Sequence, residues 1–126
     1  MPTSVFESRV PSNLTLRGIS ALADTFETSL TATAIRCAEF RSVCVFGVSG
    51  DRVTWAYGGV RPGALVHLLE EVRDNVRAVM AGGQPEERVF FYGAGFRGGY
   101  RRFDWLHLKN GSAVFLLAQD SDQTQL

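Results

Sequence analysis

The chain has 126 residues, and its 13 basic and 13 acidic side chains cancel to a formal net charge of zero. Phosphate neutralisation supplies most of the affinity of a dedicated nucleic-acid binder, so this balance counts against strong autonomous DNA binding and leaves open contact made through a partner or a dimer. Hydrophobic residues make up 45% of the chain, enough to bury a core as one domain, or as a helical appendage on a small α+β unit.

Residues 1–13 read as irregular, because Pro2 and Pro11 interrupt any helix, and Ser12 or Asn13 is placed to cap the one that follows. From Leu14 the apolar positions Leu14, Ile19, Leu22, Ala23 and Phe26 recur at helical steps, with Gly18 weakening the helix without forbidding it. Ser29 is a natural N-cap for a second helix over residues 30–40. The connection Glu27-Thr28-Ser29 is short, as in helix-turn-helix units. After Arg41 the texture changes. The run Val43 to Val48, the turn Ser49-Gly50-Asp51 and the alternating residues 52–57 predict a hairpin. Residues 64–80 form the clearest helix. Leu65, Leu68, Leu69, Val72, Val76 and Val79 make one stripe, and Gly82-Gly83 with Pro85 stop it. Three strands are expected over residues 87–92, 100–109 and 113–119, the last two joined by Asn110-Gly111, a strong hairpin signal. The polar tail, residues 121–126, is expected to be flexible.

The expected fold is therefore α+β: a helix-turn-helix-like segment over residues 1–41, then a GAF/PAS-like antiparallel sheet in the order ββαβββ over residues 42–120. A profilin-like sheet gives the same order, and a fold analogy of this kind carries no function. No apolar run approaches the roughly 20 residues of a membrane helix. The opening MPTSVFESRVPSN has no apolar core of a secretory signal, so no membrane association and a cytoplasmic location are expected.

Little in the chain has the spacing of a catalytic or metal centre. Cys37 and Cys44 form no CxxC and read as buried small hydrophobes. His67 is followed by Leu68-Leu69-Glu70-Glu71, so the H-E-x-x-H pair of a zinc helix is absent. His107 alternates with Phe103 and Trp105 along a strand, which suits a core or pocket wall. There is no G-x-S-x-G nucleophile turn. The glycines of residues 93–99 lie between two strands, without the helix N-terminus that a phosphate loop needs. No cofactor or metal is expected. The stretch FYGAGFRGGYRRFDW sets Arg97, Arg101 and Arg102 among Phe96, Tyr100, Phe103 and Trp105. Such mixtures suit single strands, anionic ligands and protein interfaces, or else a hairpin with its aromatics inward and its arginines in water. The candidate ligand- or partner-binding set is Tyr57, Phe96, Arg97, Tyr100, Arg101, Trp105 and His107. In a DNA reader, Ser29, Thr31, Thr33 and Arg36 would open the recognition helix. As structure, either Ala32, Ile35 and Glu39 or Ala34, Ile35 and Ala38 would instead pack the helix pair onto the sheet.

The stretch LADTFETSLTATAIRCAEF, residues 22–40, resembles the segment after the metallopeptidase motifs of the ImmA/IrrE family, with a pattern like L-A-x-x-F-x-x-S-x-x-A-x-x-x-R. The matching residues are Leu22-Ala23, Phe26, Ser29, Ala32 and Arg36. Cys44-Val45-Phe46 and Arg52-Val53-Thr54-Trp55 continue the likeness, and Met1-Pro2 with Phe6 is similar to the end of the family's L-M-P segment. The resemblance implies a GAF-like domain after the helices and a regulatory setting, in which repressors are cleaved or released during stress responses and in mobile elements. No position here matches a zinc ligand or the catalytic glutamate, so no catalytic residue carries over. The expectation is a non-enzymatic regulatory or sensor domain that binds a partner protein or small ligand through the sheet and residues 93–102. The alternatives are a DNA-binding transcriptional regulator using the helix that starts at Ser29, and the substrate-recognition part of a zinc metallopeptidase. Pairing of two copies through an exposed edge strand is open.

Overall fold

The computed structural model describes residues 3–11, 13–40, 43–58, 65–93 and 96–119, with the side chains of 3–4, 65–71, 90–93, 96–100 and 119 left aside. The elements run α1 (Thr3–Arg9), α2 (Leu16–Phe26), α3 (Leu30–Phe40), β1 (Val43–Ser49), β2 (Arg52–Tyr57), α4 (Leu65–Met80), β3 (Arg88–Gly93), β4 (Phe96–His107) and β5 (Ser112–Gln119). This is an α+β fold: helices first, then a five-stranded antiparallel sheet in the expected ββαβββ order.

Helix α1 occupies a stretch that the sequence marks as irregular. It fits between the two prolines, so neither has to lie within it. Phe6 and Val10, one turn apart, are both buried. The Phe6 ring meets Phe26 edge-on at 5.6 Å and Phe40 at 6.1 Å, so partners from α2 and α3 hold this short helix in place. The cap of α2 also differs from expectation. Thr15, extended at φ −127° and ψ 158°, accepts the Gly18 N–H at 3.0 Å, in place of Ser12 or Asn13. Ser29 caps α3 as expected, taking the Ala32 N–H at 3.1 Å.

The sheet order is β2-β1-β5-β4-β3 with every pair antiparallel. Strands β1 and β5 lie at its centre and are buried on both faces, which is why they read as continuous apolar runs and do not alternate. The strand period of two then sorts their side chains. Val43, Val45, Val114, Leu116 and Ala118 face the N-terminal helices and share a core with Phe6, Leu14, Leu16, Ile19 and Cys37. Cys44, Phe46, Val48, Phe115 and Leu117 face α4 and meet Val72, Val76 and Val79. The result is three layers, with helices on both sides of one sheet. Gly47 on β1 leaves room for the Trp55 indole, which a Cβ there would overlap. The two cysteines are buried on opposite sides of the sheet, and burial pushes the Cys44 thiol from 9.0 up to about 12. Among the described residues no helix is long and apolar enough to cross a membrane.

Candidate functional site

The helix pair is built for packing. Thr33 has 0% exposure, and its hydroxyl donates to the Ser29 carbonyl at 2.8 Å while lying 2.7 Å from the Thr28 hydroxyl. That corrects its assignment as a DNA-contacting residue, because α3 turns it toward the connection with α2 and away from any groove. Arg36 pairs with Glu39 at 2.5 Å, and its guanidinium stands 5.3 Å from the Phe40 ring and 6.0 Å from the Phe6 ring. Its charge is thus engaged on α3 itself and with α1. Ser29 is exposed but works as the cap, and Thr31 is half-buried.

Of the expected ligand or partner set, Tyr57 stands apart from Arg101, Trp105 and His107. Tyr57 is 40% exposed on β2 and pairs with Val45, which puts it on the side of the N-terminal helices. Arg101, Trp105 and His107 share the α4 side of β4, beyond β1 and β5, about 14 Å away at the usual strand spacing. Phe96, Arg97 and Tyr100 contribute backbone to β4, and their side chains lie outside the described residues, as does that of His67 on α4. Arg101 is only 8% exposed, so the picture of a hairpin with all its arginines in water is corrected: this one lies within the protein. His107 is exposed near the end of β4.

Arg102 and Asp104, one residue off that register, point to the opposite face and clamp the start of α2. Arg102 donates to the Leu14 carbonyl and, at 3.4 Å, to the Asn13 side chain. Asp104 accepts the Leu16 N–H at 2.7 Å and the Trp105 N–H at 2.9 Å. A carboxylate at a helix N-terminus satisfies an orphan donor and complements the positive end of the helix dipole. A cleft of about 440 Å³ lies here, lined by Thr15, Arg17, Glu87, Arg102, Asp104 and Trp105. Its inner charged groups are already engaged in holding α2 to the sheet.

A larger cleft, about 530 Å³, opens on the other side of the sheet between the β1–β2 turn and the C-terminal half of α4. The apolar stripe of α4 fixes the helix: Val72, Val76 and Val79 are buried on the sheet. Asn75, also buried, donates to the Glu86 carbonyl at 2.8 Å and accepts the Glu86 N–H at 3.1 Å, which ties the helix to the segment entering β3. The helix stops where the Gly82 N–H reaches Val79 and the Gly83 N–H reaches Ala78, with Gly82 at φ 81°. In that frame the cleft is lined by Arg73, Val76, Arg77 and Met80 of α4 and by Gly50 and Asp51 of the turn, with Val76 buried, Met80 half-buried and both arginines exposed. Two arginines four residues apart on one helix repel by about 0.2–0.5 kcal/mol. Among the described residues neither Arg73 nor Arg77 has a carboxylate within bonding range, the side chains of Glu70 and Glu71 on the same helix lying outside them. Nor do the described residues bring three His, Cys, Asp or Glu side chains together as a metal site.

Arg73 and Arg77 lie beside the apolar stripe of α4, and nothing in the sequence alone singles them out. The available signal was an Arg-x-x-x-Arg spacing at the margin of that stripe, but its meaning depends on a turn more than twenty residues earlier in the chain. No protein-family model, curated protein or solved structure matches this chain, so the site is read from its own geometry.

Proposed function

We propose that this protein is a non-catalytic regulatory domain of sensor type that binds a small ligand between α4 and the β1–β2 turn. The observation that carries the reading is the pair Arg73 and Arg77, which have no carboxylate partner among the described residues and line a 530 Å³ cleft together with Val76 and Met80. A concave site with apolar lining and a few convergent polar groups is the usual form of a ligand pocket. The resemblance of residues 22–55 to the post-catalytic region of ImmA/IrrE proteins supports the regulatory setting, whether the ligand acts alone or alters the docking of a partner protein. DNA reading by α3 is the weaker alternative, since Thr33 is buried and Arg36 is engaged.

A fragment screen on the isotope-labelled protein, followed by its amide spectrum, tests the proposal. Saturable shifts are expected at Gly50, Asp51, Arg77 and Ala81, and their loss in Arg73→Ala/Arg77→Ala. Shifts confined to the Trp105 cleft would transfer the function there. Duplex DNA that instead perturbs Ser29 and Thr31, with binding that falls steeply with salt, would favour the alternative.

A further inference from the structure

Resting on the ligand reading above, we infer that the α4 cleft takes an organic carboxylate whose apolar part lies over Val76 and Met80. The charge count selects the class. Among the described lining groups, Arg73 and Arg77 contribute two positive charges and Asp51 one negative, a net +1. A monoanion neutralises that balance. A dianion leaves an excess negative charge facing Asp51, and a cation meets a net positive wall. The guanidinium is a planar fork of N–H donors that matches the two oxygens of a carboxylate. A carboxylate between the two arginines also relieves their mutual repulsion, which no described side chain does.

The rest of the cleft fits the other end of such a molecule. Val76 is buried and holds its place against the sheet, while half-buried Met80 is an unbranched side chain that adapts to a variable apolar shape. Gly50, at φ 64°, has no side chain, and even a Cβ there would meet nothing within 4 Å. The turn thus adds no side chain at Gly50 to the cleft, whose other described lining combines exposed Arg73 and Arg77 with Val76 and Met80.

Four probes sharing this chemistry in part separate the claims: octanoate, 1-octanol, octylammonium and acetate, each titrated into the labelled full chain. Octanoate is expected to give saturable amide shifts at Gly50, Asp51, Arg77 and Ala81. Acetate should bind at least about tenfold more weakly, because it lacks the methylenes that would cover Val76 and Met80. Arg73→Gln/Arg77→Gln should weaken octanoate by about tenfold or more and leave 1-octanol unchanged. Both arginines are exposed, so the variant should fold, and its own amide spectrum checks this. Octylammonium or 1-octanol binding as tightly as octanoate would overturn the carboxylate assignment and leave the ligand reading standing. Acetate binding as well as octanoate would overturn the apolar part. Failure of all four to perturb the cleft would overturn both the class and the ligand reading there.

Discussion

The two faces of the sheet are covered in different ways, and the difference explains where this protein has space. Among the described residues three helices lie on the first face and one on the second; the first covers an aliphatic surface of Val45, Val114, Leu116 and Ala118, and β4 clamps the start of α2 through Arg102 and Asp104. The second face carries an aromatic series, Phe46 against Phe115 at 5.2 Å, Phe115 against Phe103 at 5.6 Å, and Phe103 against Trp105 at 6.0 Å, under one helix. Five strands span about 19 Å from first to last, whereas a helix with its side chains is about 10–12 Å across. A single helix cannot cover that width. Helix α4 packs mainly on β3, so the shortfall appears beside the β1–β2 turn, where the larger cleft lies. Which face holds the larger of the two clefts follows from how many described helices cover it.

The sharpest way to break this comparison is to empty the aromatic face. Phe115 is fully buried with rings on both sides, so Phe115→Ala should cost about 3–5 kcal/mol in urea unfolding. A loss below about 1.5 kcal/mol would mean that the series does not organise the α4 side.

The polar ties on each face come next. Asp104→Ala leaves the Leu16 N–H without its acceptor and should cost about 1–3 kcal/mol, with faster hydrogen exchange at the start of α2. Asn75→Ala should cost a similar amount on the opposite face and loosen the segment around Glu86. If either substitution speeds exchange equally in both layers, the faces are not secured independently.

Alkaline pH tests the burial of Cys44. Below pH 9 the thiol is protonated in both folded and unfolded chains, and stability does not depend on it. Above pH 9 the unfolded thiol ionises first, and stability falls until the folded thiol also ionises near 12. The slope is at most about 1.4 kcal/mol per pH unit from this group, and Cys44→Ala should remove that share of the decline.

The smallest expected effect compares two helix ends. Helices α2 and α4 close with the same pair of bonds, Thr28 N–H to Ala23 with Glu27 N–H to Asp24, and Gly83 N–H to Ala78 with Gly82 N–H to Val79. The left-handed residue is Gly82 in one and Glu27, at φ 54°, in the other. A side chain is disfavoured there, so Glu27→Gly should raise stability by about 1 kcal/mol and Gly82→Ala should lower it by a similar amount. A destabilising Glu27→Gly would point to a contact of the glutamate side chain that outweighs its backbone strain.

Much of the fold was legible because its signals are local. The Ser29 cap, the Asn110-Gly111 turn and the stripe of α4 each depend on residues within a few positions of one another. Helix α1 was hidden because its stabilising partners, Phe26 and Phe40, belong to other helices, while its flanking prolines suggest interruption. The candidate site was less legible. Arg101 and Arg102 read as equivalent surface charges, yet the period of two sends one to each face, and each face lies under different helices. Tyr57 and Trp105 looked like companions until strand order put β1 and β5 between them.

The amino-acid sequence by itself determined the layers' ingredients: amphipathic helices, two strands apolar on both sides and turns with the residues they require. Their periods of 3.6 and 2 are properties of the local backbone. Only the tertiary structure decided that Arg73 and Arg77 stand across a cleft from Gly50 and Asp51. That juxtaposition depends on strand order and on where one helix runs out of width to cover five strands.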